Sequence, residues 1–392
     1  MVILYIGAFR LPHHDAAASR VLNIARSLRE AGHSVSFISW GGMQREEDKD
    51  DSGIHYVDGF PYMVTNELPT PGMSAFEKLH NRMRRGNTTK RILSRWPVHI
   101  DVIITYNNSL CRWLLSFCNK SGIKLINDIT EWYAYNELKP TDWLGYSYNM
   151  FFLQKRVKNK IVISSFLDRF YCQTNNIVVP ATCDSSENKW NENLDSVRAQ
   201  VGLFSGVTLI YAGTPARKDL LHHVVNAVRR LADEGAAIRI LILGSTRDGY
   251  INQHASKLHS TSPHESIIFL GKVSQDIIPS FYQQSDFMIL LRENNRKSNA
   301  GFPTKFSESF TSGTPVIANL TSDIGNYLKD GITGFVVQEP SEESVYHILK
   351  DRVLNISRVE IELMRQNVKD VAKQFDYHSY VEPIGEFMAN LR

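Results

Sequence analysis

Short apolar runs recur along this chain, and between them apolar residues return every three or four positions. In the first half, Val2 to Ile6, Val35 to Ser39, Ile100 to Thr105, Lys124 to Asn127, Ile161 to Ser164 and Ile177 to Val179 read as strands. Between the first two runs, Val21, Ile24, Ala25 and Leu28 fall on one face of a predicted helix from about residue 16 to 31, which Gly32 ends. Leu110, Trp113, Leu114 and Phe117 mark a second helix. Residues 7 to 15 read as a loop and residues 41 to 71 as irregular. After a polar stretch, Pro180 to Glu192, the alternation resumes. Val207 to Tyr211, Ile238 to Leu243, Ser266 to Leu270, Phe287 to Leu291, Val316 to Ala318 and Gly334 to Val337 are the strands of this second series. Helical patterns fill the gaps, then Ser341 to Leu354, Glu360 to Phe375 and Tyr377 to Arg392. Strand-helix alternation predicts α/β domains with parallel sheets.

The chain is organised around the stretch from Asn299 to Ile317. Gly301 loosens the entry, Pro303 suits a first helical position, and Gly313 with Pro315 closes the helix. A glycine-containing loop that feeds a helix start offers unpaired N–H groups to an anion. Phe302, Thr304 and Lys305 lie at that start, the last two acting through backbone N–H groups. Glu308, about one and a half turns in, can accept hydrogen bonds from two ribose hydroxyls. Diphosphate at the loop and ribose at Glu308 predict a nucleotide-sugar site. A second loop, Ala212 to Asp219, follows a strand and carries Gly213 and the adjacent cations Arg217 and Lys218. Arg as a fork of donors and Lys as a point charge can neutralise a diphosphate leaving group, and a solvated loop pair fits as well. Glu308 paired with Lys305 on a helix surface is the plain alternative there.

The 392 residues suffice for two cores, and 43% hydrophobic with 22% charged residues is the balance of a globular protein. A net charge of +3 argues against nucleic acid as a partner. Cys111, Cys118, Cys172 and Cys183 form no Cys-x-x-Cys pair and no zinc spacing, which predicts reduced thiols in a cytoplasmic protein. The apolar start, Met1 to Gly7, is too short for a signal or a membrane span and reads as a buried strand. Two basic clusters stand out: Lys78 to Arg95, interleaved with Phe76, Leu79, Met83, Ile92, Leu93 and Trp96, and Lys155, Arg156, Lys158 and Lys160. The first fits an anionic membrane surface and an exposed basic helix pair equally.

Gly301-Phe302-Pro303-Thr304-Lys305-Phe306 with Glu308 resembles the donor segment of retaining glycosyltransferases of family 4, in the branch that builds bacterial surface polysaccharides such as capsule or O-antigen. That family shows two glutamates separated by seven residues. Glu308 matches the second, and Ala300 occupies the place of the first. The resemblance implies the GT-B fold, an α/β architecture of two Rossmann-like domains facing each other across a cleft. It divides the chain into an acceptor-binding domain, residues 1–183, a nucleotide-sugar-binding domain, 184–375, and a helix crossing back, 376–392. It implies a hexosyltransferase that takes a nucleotide diphosphate sugar as donor and a lipid-linked or oligosaccharide acceptor. It works without cofactor or metal, in the cytoplasm or peripherally on the inner face of the plasma membrane.

The resemblance also implies roles for further residues. Gly7, its loop, and Arg20 in the helix that follows would lie near the donor phosphates, with Gly244 at a strand end joining Gly213 there. Arg20 fits a solvated helix position as well. His13 and His14 are adjacent, point differently and lack a third ligand, so a metal is not expected. Asp15 reads as an N-cap. Asp128 and Glu131, at a strand end beside Trp132 and Tyr133, can hold sugar hydroxyls or act as base on an acceptor hydroxyl. The same spacing fits an N-cap and its capping glutamate. With Arg217 and Lys218 these carboxylates form the expected catalytic set. A rival reading is a nucleotide-binding scaffold without transferase activity, kept open by Ala300. An NAD-dependent oxidoreductase is disfavoured, because no Gly-x-Gly-x-x-Gly follows a strand.

Overall fold

The computed structural model describes all residues except 13–14, 52–53, 69–71, 75, 79, 81–85, 97, 108–110, 134–137, 139–141, 192–193 and 216–218. The chain forms two units, Met1–Thr182 with Tyr377–Arg392, and Cys183–Asp376.

The first unit is built on β1 (Val2–Leu11), β2 (Ser34–Gly42), β3 (His55–Val57), β4 (Phe60–Val64), β5 (Val102–Tyr106), β6 (Lys124–Ile129), β7 (Asn159–Val162) and β8 (Asn175–Val178). They lie in the order β3-β4-β2-β1-β5-β6-β7-β8, and every pairing but β3 with β4 is parallel. Two features differ from the sequence reading. Residues 41 to 71 are not irregular throughout, because β3 and β4 form a hairpin. Its turn is Asp58-Gly59, both in the left-handed region at φ 50° and 74°, as a two-residue turn between twisted strands requires. Strand β1 also runs on to Leu11. A register shift between Gly7 and Arg10 lets it follow β2 further, with Arg10 opposite Gly41. Gly7 is therefore a strand residue, flanked by Ser39 and Tyr106, and not the start of a loop.

The helix Ala16–Glu30 begins at Asp15, whose carboxylate accepts from the Ala18 amide at 2.8 Å, as an N-cap does. Val21, Ile24, Ala25 and Leu28 are buried in the core between this helix and the sheet. Its polar side is covered too. Asn23 donates to the Thr182 carbonyl at 2.7 Å and Ser27 to the Tyr377 carbonyl at 2.9 Å. The last residues, a 3-10 turn Tyr377–Tyr380 and a helix Val381–Ala389, add Ile384, Phe387 and Met388 to the same core. The final helix therefore belongs to the first unit although the second precedes it in the chain.

The second unit contains β9 (Val207–Ala212), β10 (Ile238–Leu243), β11 (Ile267–Gly271), β12 (Phe287–Leu290), β13 (Val316–Ala318) and β14 (Gly334–Val336), in the all-parallel order β11-β10-β9-β12-β13-β14. β9 and β10 are buried along their whole length, which is why they read as nearly continuous apolar runs, broken only by Thr208 and Arg239, which hydrogen-bond to each other at 3.1 Å. The strand order reverses at β9, between β10 and β12. In open parallel sheets, the crevice outside the carboxyl ends at such a reversal is where ligands bind. Cys118, Cys172 and Cys183 are free thiols. Among the described residues no helix is long and apolar enough to cross a membrane.

Candidate functional site

The carboxyl end of β9 leads directly to Gly213 and that of β10 to Gly244, and these two glycines touch. A Cβ on Gly244 would stand 2.5 Å from the Gly213 carbonyl carbon, and its φ of 89° is itself one that side chains avoid. Gly213, at φ 113°, has no room either, since a Cβ there would meet the Lys305 Cε at 2.7 Å. The two loops and the first turn of the helix Thr304–Thr311 are thus in contact through bare backbone and one lysine stem.

That lysine does not point freely outward. Its Nζ donates to Asp219 at 3.0 Å and to the Tyr211 hydroxyl. Asp219 also accepts from Tyr211 at 2.5 Å and from the Arg292 Nε at 3.1 Å. Tyr211 comes from β9, Arg292 follows β12, and Asp219 bridges to Arg292 along the backbone. One buried carboxylate so holds two cations, and the cluster carries one net positive charge at the strand reversal. Lys305 and Arg292 hold the Asp219 carboxyl well below the usual range, against the burial that opposes its ionisation. Burial also lowers the Lys305 ammonium from its ordinary value, with Asp219 pulling the other way. The sequence reading missed Tyr211, Asp219 and Arg292 as members of the site. The signal was present: an arginine directly after an apolar strand, and an aspartate at the end of the loop after another.

Glu308 stands apart from this network. It is half-buried on the helix Thr304–Thr311, and no hydrogen-bond donor among the described residues meets its carboxylate. Burial pushes its carboxyl up to about 7, although Lys189 and Lys305 favour the charged form. A half-buried acceptor without a donor in the protein is one that a ligand can satisfy. Pro303 is the N-cap here, one position before the helix, and the first amides of the helix follow at Thr304 and Lys305. The residues before Gly301 form a short helix, Arg296–Ala300, rather than loop, and Ala300 is wholly buried. The Phe302 side chain is not a ligand contact. It packs on Phe306, Tyr327 and Phe375, so its role is to anchor the loop from below. Arg217 and Lys218 lie outside the described residues, as do His13 and His14.

In the first unit two expected site residues turn out to be core. Arg20 is not in contact with a solvent-facing ligand position. Its Nη2 meets Asp128 at 2.7 Å, its Nε meets both oxygens at 3.0 Å, and its Nη1 donates to the Val179 and Pro180 carbonyls. The Tyr5 hydroxyl completes Asp128 at 2.5 Å. With Arg20 4% and Asp128 0% exposed, neither is placed to touch substrate. Trp132 is likewise buried, among Phe151, Phe166 and Phe170. Glu131 is the carboxylate left partly open, hydrogen-bonded to the Tyr133 hydroxyl and raising it above its ordinary value together with burial. In the basic run, Ile92, Leu93 and Trp96 pack inward against the core rather than toward solvent, while Phe76 stays exposed. Leu79, Arg82, Met83, Arg84 and Arg85 lie outside the described residues.

Residues 206–351, which hold every member of the Asp219 cluster and Glu308, match the family model described as glycosyl transferases group 1. An alpha-monoglucosyldiacylglycerol synthase of Streptococcus pneumoniae is 25% identical over 145 residues, 36% of this chain and 31% of that protein. A lipopolysaccharide 1,2-N-acetylglucosaminetransferase of Salmonella typhimurium is 25% identical over 234 residues, 56% of this chain and 58% of that protein. The chain thus spans from about a third to just over half the length of these curated relatives. The structure of Anabaena HepE with UDP and glucose superposes with a TM-score of 0.72 at 15% identity, covering 100% of both chains. The protein has the GT-B fold, and a segment of its second unit matches the glycosyl transferases group 1 family model.

Proposed function

We propose that this protein is a retaining glycosyltransferase that moves a hexose from a nucleoside diphosphate to a lipid-linked saccharide during surface polysaccharide synthesis, without a metal ion. The observation that carries the proposal is Glu308, a carboxylate that no donor among the described residues meets, on the helix that starts beside the positive Asp219 cluster at the strand reversal. Two ribose hydroxyls donating to Glu308 supply the missing bonds. The diphosphate then lies toward Gly213, Gly244, Gly301 and the amides of Thr304 and Lys305. In transfer, the bond from the anomeric carbon to the β-phosphate oxygen breaks, a bond to the acceptor oxygen forms, and the acceptor proton passes to the departing diphosphate. Negative charge grows on the leaving diphosphate, and donors fixed there in advance lower the barrier. Arg217 and Lys218, with the helix start, are assigned to that charge. The names of the two curated relatives, a glucosylated diacylglycerol and lipopolysaccharide, point to acceptors carried on lipid. Glu131 is retained as the acceptor-side carboxylate and Asp128 is not. Transfer is tested by incubating the protein with nucleotide sugars and membrane extract, and reading the anomeric configuration of the new linkage by NMR. A product with the donor's configuration is expected, and an inverted one contradicts the retaining assignment.

Ala300 favours one second reading. A wholly buried methyl group stands where the resembled family has a sugar-holding glutamate. A nucleotide-binding scaffold would bind the nucleoside diphosphate yet release no sugar from any donor.

The Glu308 carboxyl gives this proposal a pH signature. Ribose hydroxyls donate to the ionised form, so affinity for a nucleotide sugar should rise with pH and level off above about 7. Binding at pH 6 should be about tenfold weaker than at pH 8, because each unit below the carboxyl's pKa costs a factor of about ten. A nucleotide sugar is the ligand to use, since its diphosphate does not titrate there. Isothermal titration should show the slope in the native protein and none in Glu308→Gln. Without ligand the sign reverses. A carboxyl raised by folding makes the protein less stable as pH climbs from about 4.5 to about 7, with no further loss above.

A further inference from the structure

We propose that the first unit rests on an anionic lipid surface through the helical segment from Trp143 to Arg156. The segment runs as an α-helix Trp143–Tyr148, a π-turn Asn149–Leu153 and a last α-turn Gln154–Arg156. Its inner side is anchored by Met150, Leu153 and Gln154, all buried. Its outer side is apolar. Leu144, Tyr148 and Phe152 succeed one another at steps of four, 86%, 45% and 61% exposed, with the last two rings stacked at 5.8 Å between centroids. Steps of four keep side chains on one face of a helix. Folding normally turns such a face inward, and here the buried residues are the other ones. An outward stripe of large apolar side chains marks a surface that something covers.

Charge selects the cover. Lys155, Arg156 and Lys158 continue from the stripe and are all exposed, while Asp142 is the one acidic residue from 142 to 158. Aromatic and aliphatic side chains flanked by lysine and arginine are what an anionic bilayer interface takes, the rings at headgroup depth and the cations on lipid phosphates. The run from Lys78 to Arg95 offers less, because Ile92, Leu93 and Trp96 pack toward the core and leave Phe76 as its exposed apolar side chain among the described residues. The inference extends the reading of a lipid-linked acceptor, but its geometry is independent of the nucleotide site.

The test is flotation of the purified full chain with phosphatidylglycerol-containing vesicles and with phosphatidylcholine vesicles. The protein should float with the anionic vesicles only, and 0.5 M salt, which shortens the Debye length from about 8 Å to about 4 Å, should release most of it. Leu144→Ser with Phe152→Ser should abolish flotation, and Lys155→Glu with Arg156→Glu and Lys158→Glu should weaken it at least tenfold. All five positions are exposed, so the melting temperature should not change, and the nucleotide-induced thermal shift of each variant should match the native protein. No flotation of the native protein, or equal flotation of the serine variant, overturns the proposal. So does a native dimer in light scattering that the serine variant converts to monomer, since a second copy then covers the stripe. Flotation without any nucleotide-induced shift leaves the membrane surface standing and removes the transferase reading instead.

Discussion

Asp219→Ala should destabilise the second unit by about 3–5 kcal/mol, because it strips the shared carboxylate from two buried cations. Lys305 and Arg292 would be left facing each other, and the Tyr211 hydroxyl would lose its acceptor. Each of these groups was taken from water on folding, and the remaining charges have no compensating partner. Hydrogen exchange should show the loss as faster exchange in β9 and β12, which carry Tyr211 and lead into Arg292. Asp219→Asn keeps the shape and part of the hydrogen bonding, so it should cost less than Ala. The ionised Asp219 contributes stability at every pH above the ordinary aspartate range, and that contribution should fade only as pH falls below it, since its folded pKa is depressed. Unchanged protection in Asp219→Ala would mean the cluster is not what holds the strand ends together.

Asp128→Ala should have a comparable effect in the first unit, again about 3–5 kcal/mol. Arg20 spans three parts of that unit: its own helix, strand β6 through Asp128, and the chain at Val179 and Pro180. Removing Asp128 leaves a wholly buried guanidinium with only carbonyl partners and the Tyr5 hydroxyl without an acceptor. Exchange should rise in β1, β6 and the helix Ala16–Glu30. Here the prediction also separates two roles. If Asp128 only holds the fold, Asp128→Asn should lose stability while the surviving folded protein keeps its nucleotide-induced thermal shift and its rate of transfer. If Asp128 were an acceptor base, the Asn variant would lose rate by orders of magnitude even when fully folded.

Much of this architecture is legible in the residues, and the failures have physical reasons. The buried parallel strands announce themselves because both faces are covered, so apolar residues dominate them. The β3–β4 hairpin does not, since its strands are three and five residues long and carry histidine, tyrosine and proline. Yet Asp58-Gly59 between Val57 and Phe60 is the strongest short hairpin signal a sequence has. Arg20 was open to the same kind of correction. It lies four residues before Ile24 and eight before Leu28, on the stripe that faces the core, and an aspartate inside Leu125 to Ile129 needs a buried cation. Glu308 and the glycines at the strand ends were readable because loop-to-helix chemistry is local in sequence. The Asp219 cluster shows in sequence only as separate charged residues after apolar strands, because Tyr211, Asp219, Arg292 and Lys305 are joined only by the fold. Phe302 shows the reverse limit: position beside a glycine marked it for the ligand, and packing assigned it to the core.

In the proposed function, Glu308 and the glycine loops bind a nucleoside diphosphate. The direct measurement is the melting temperature of the native protein and of Glu308→Ala against UDP, GDP, ADP, CMP and NADH. A ligand at one hundred times its dissociation constant should add about 2.7 kcal/mol to the stability of the unit that binds it. One nucleoside diphosphate should raise the native melting temperature, and Glu308→Ala should remove that shift while melting normally on its own. No shift with any nucleoside diphosphate, or a shift that survives in Glu308→Ala, would rule out this binding site.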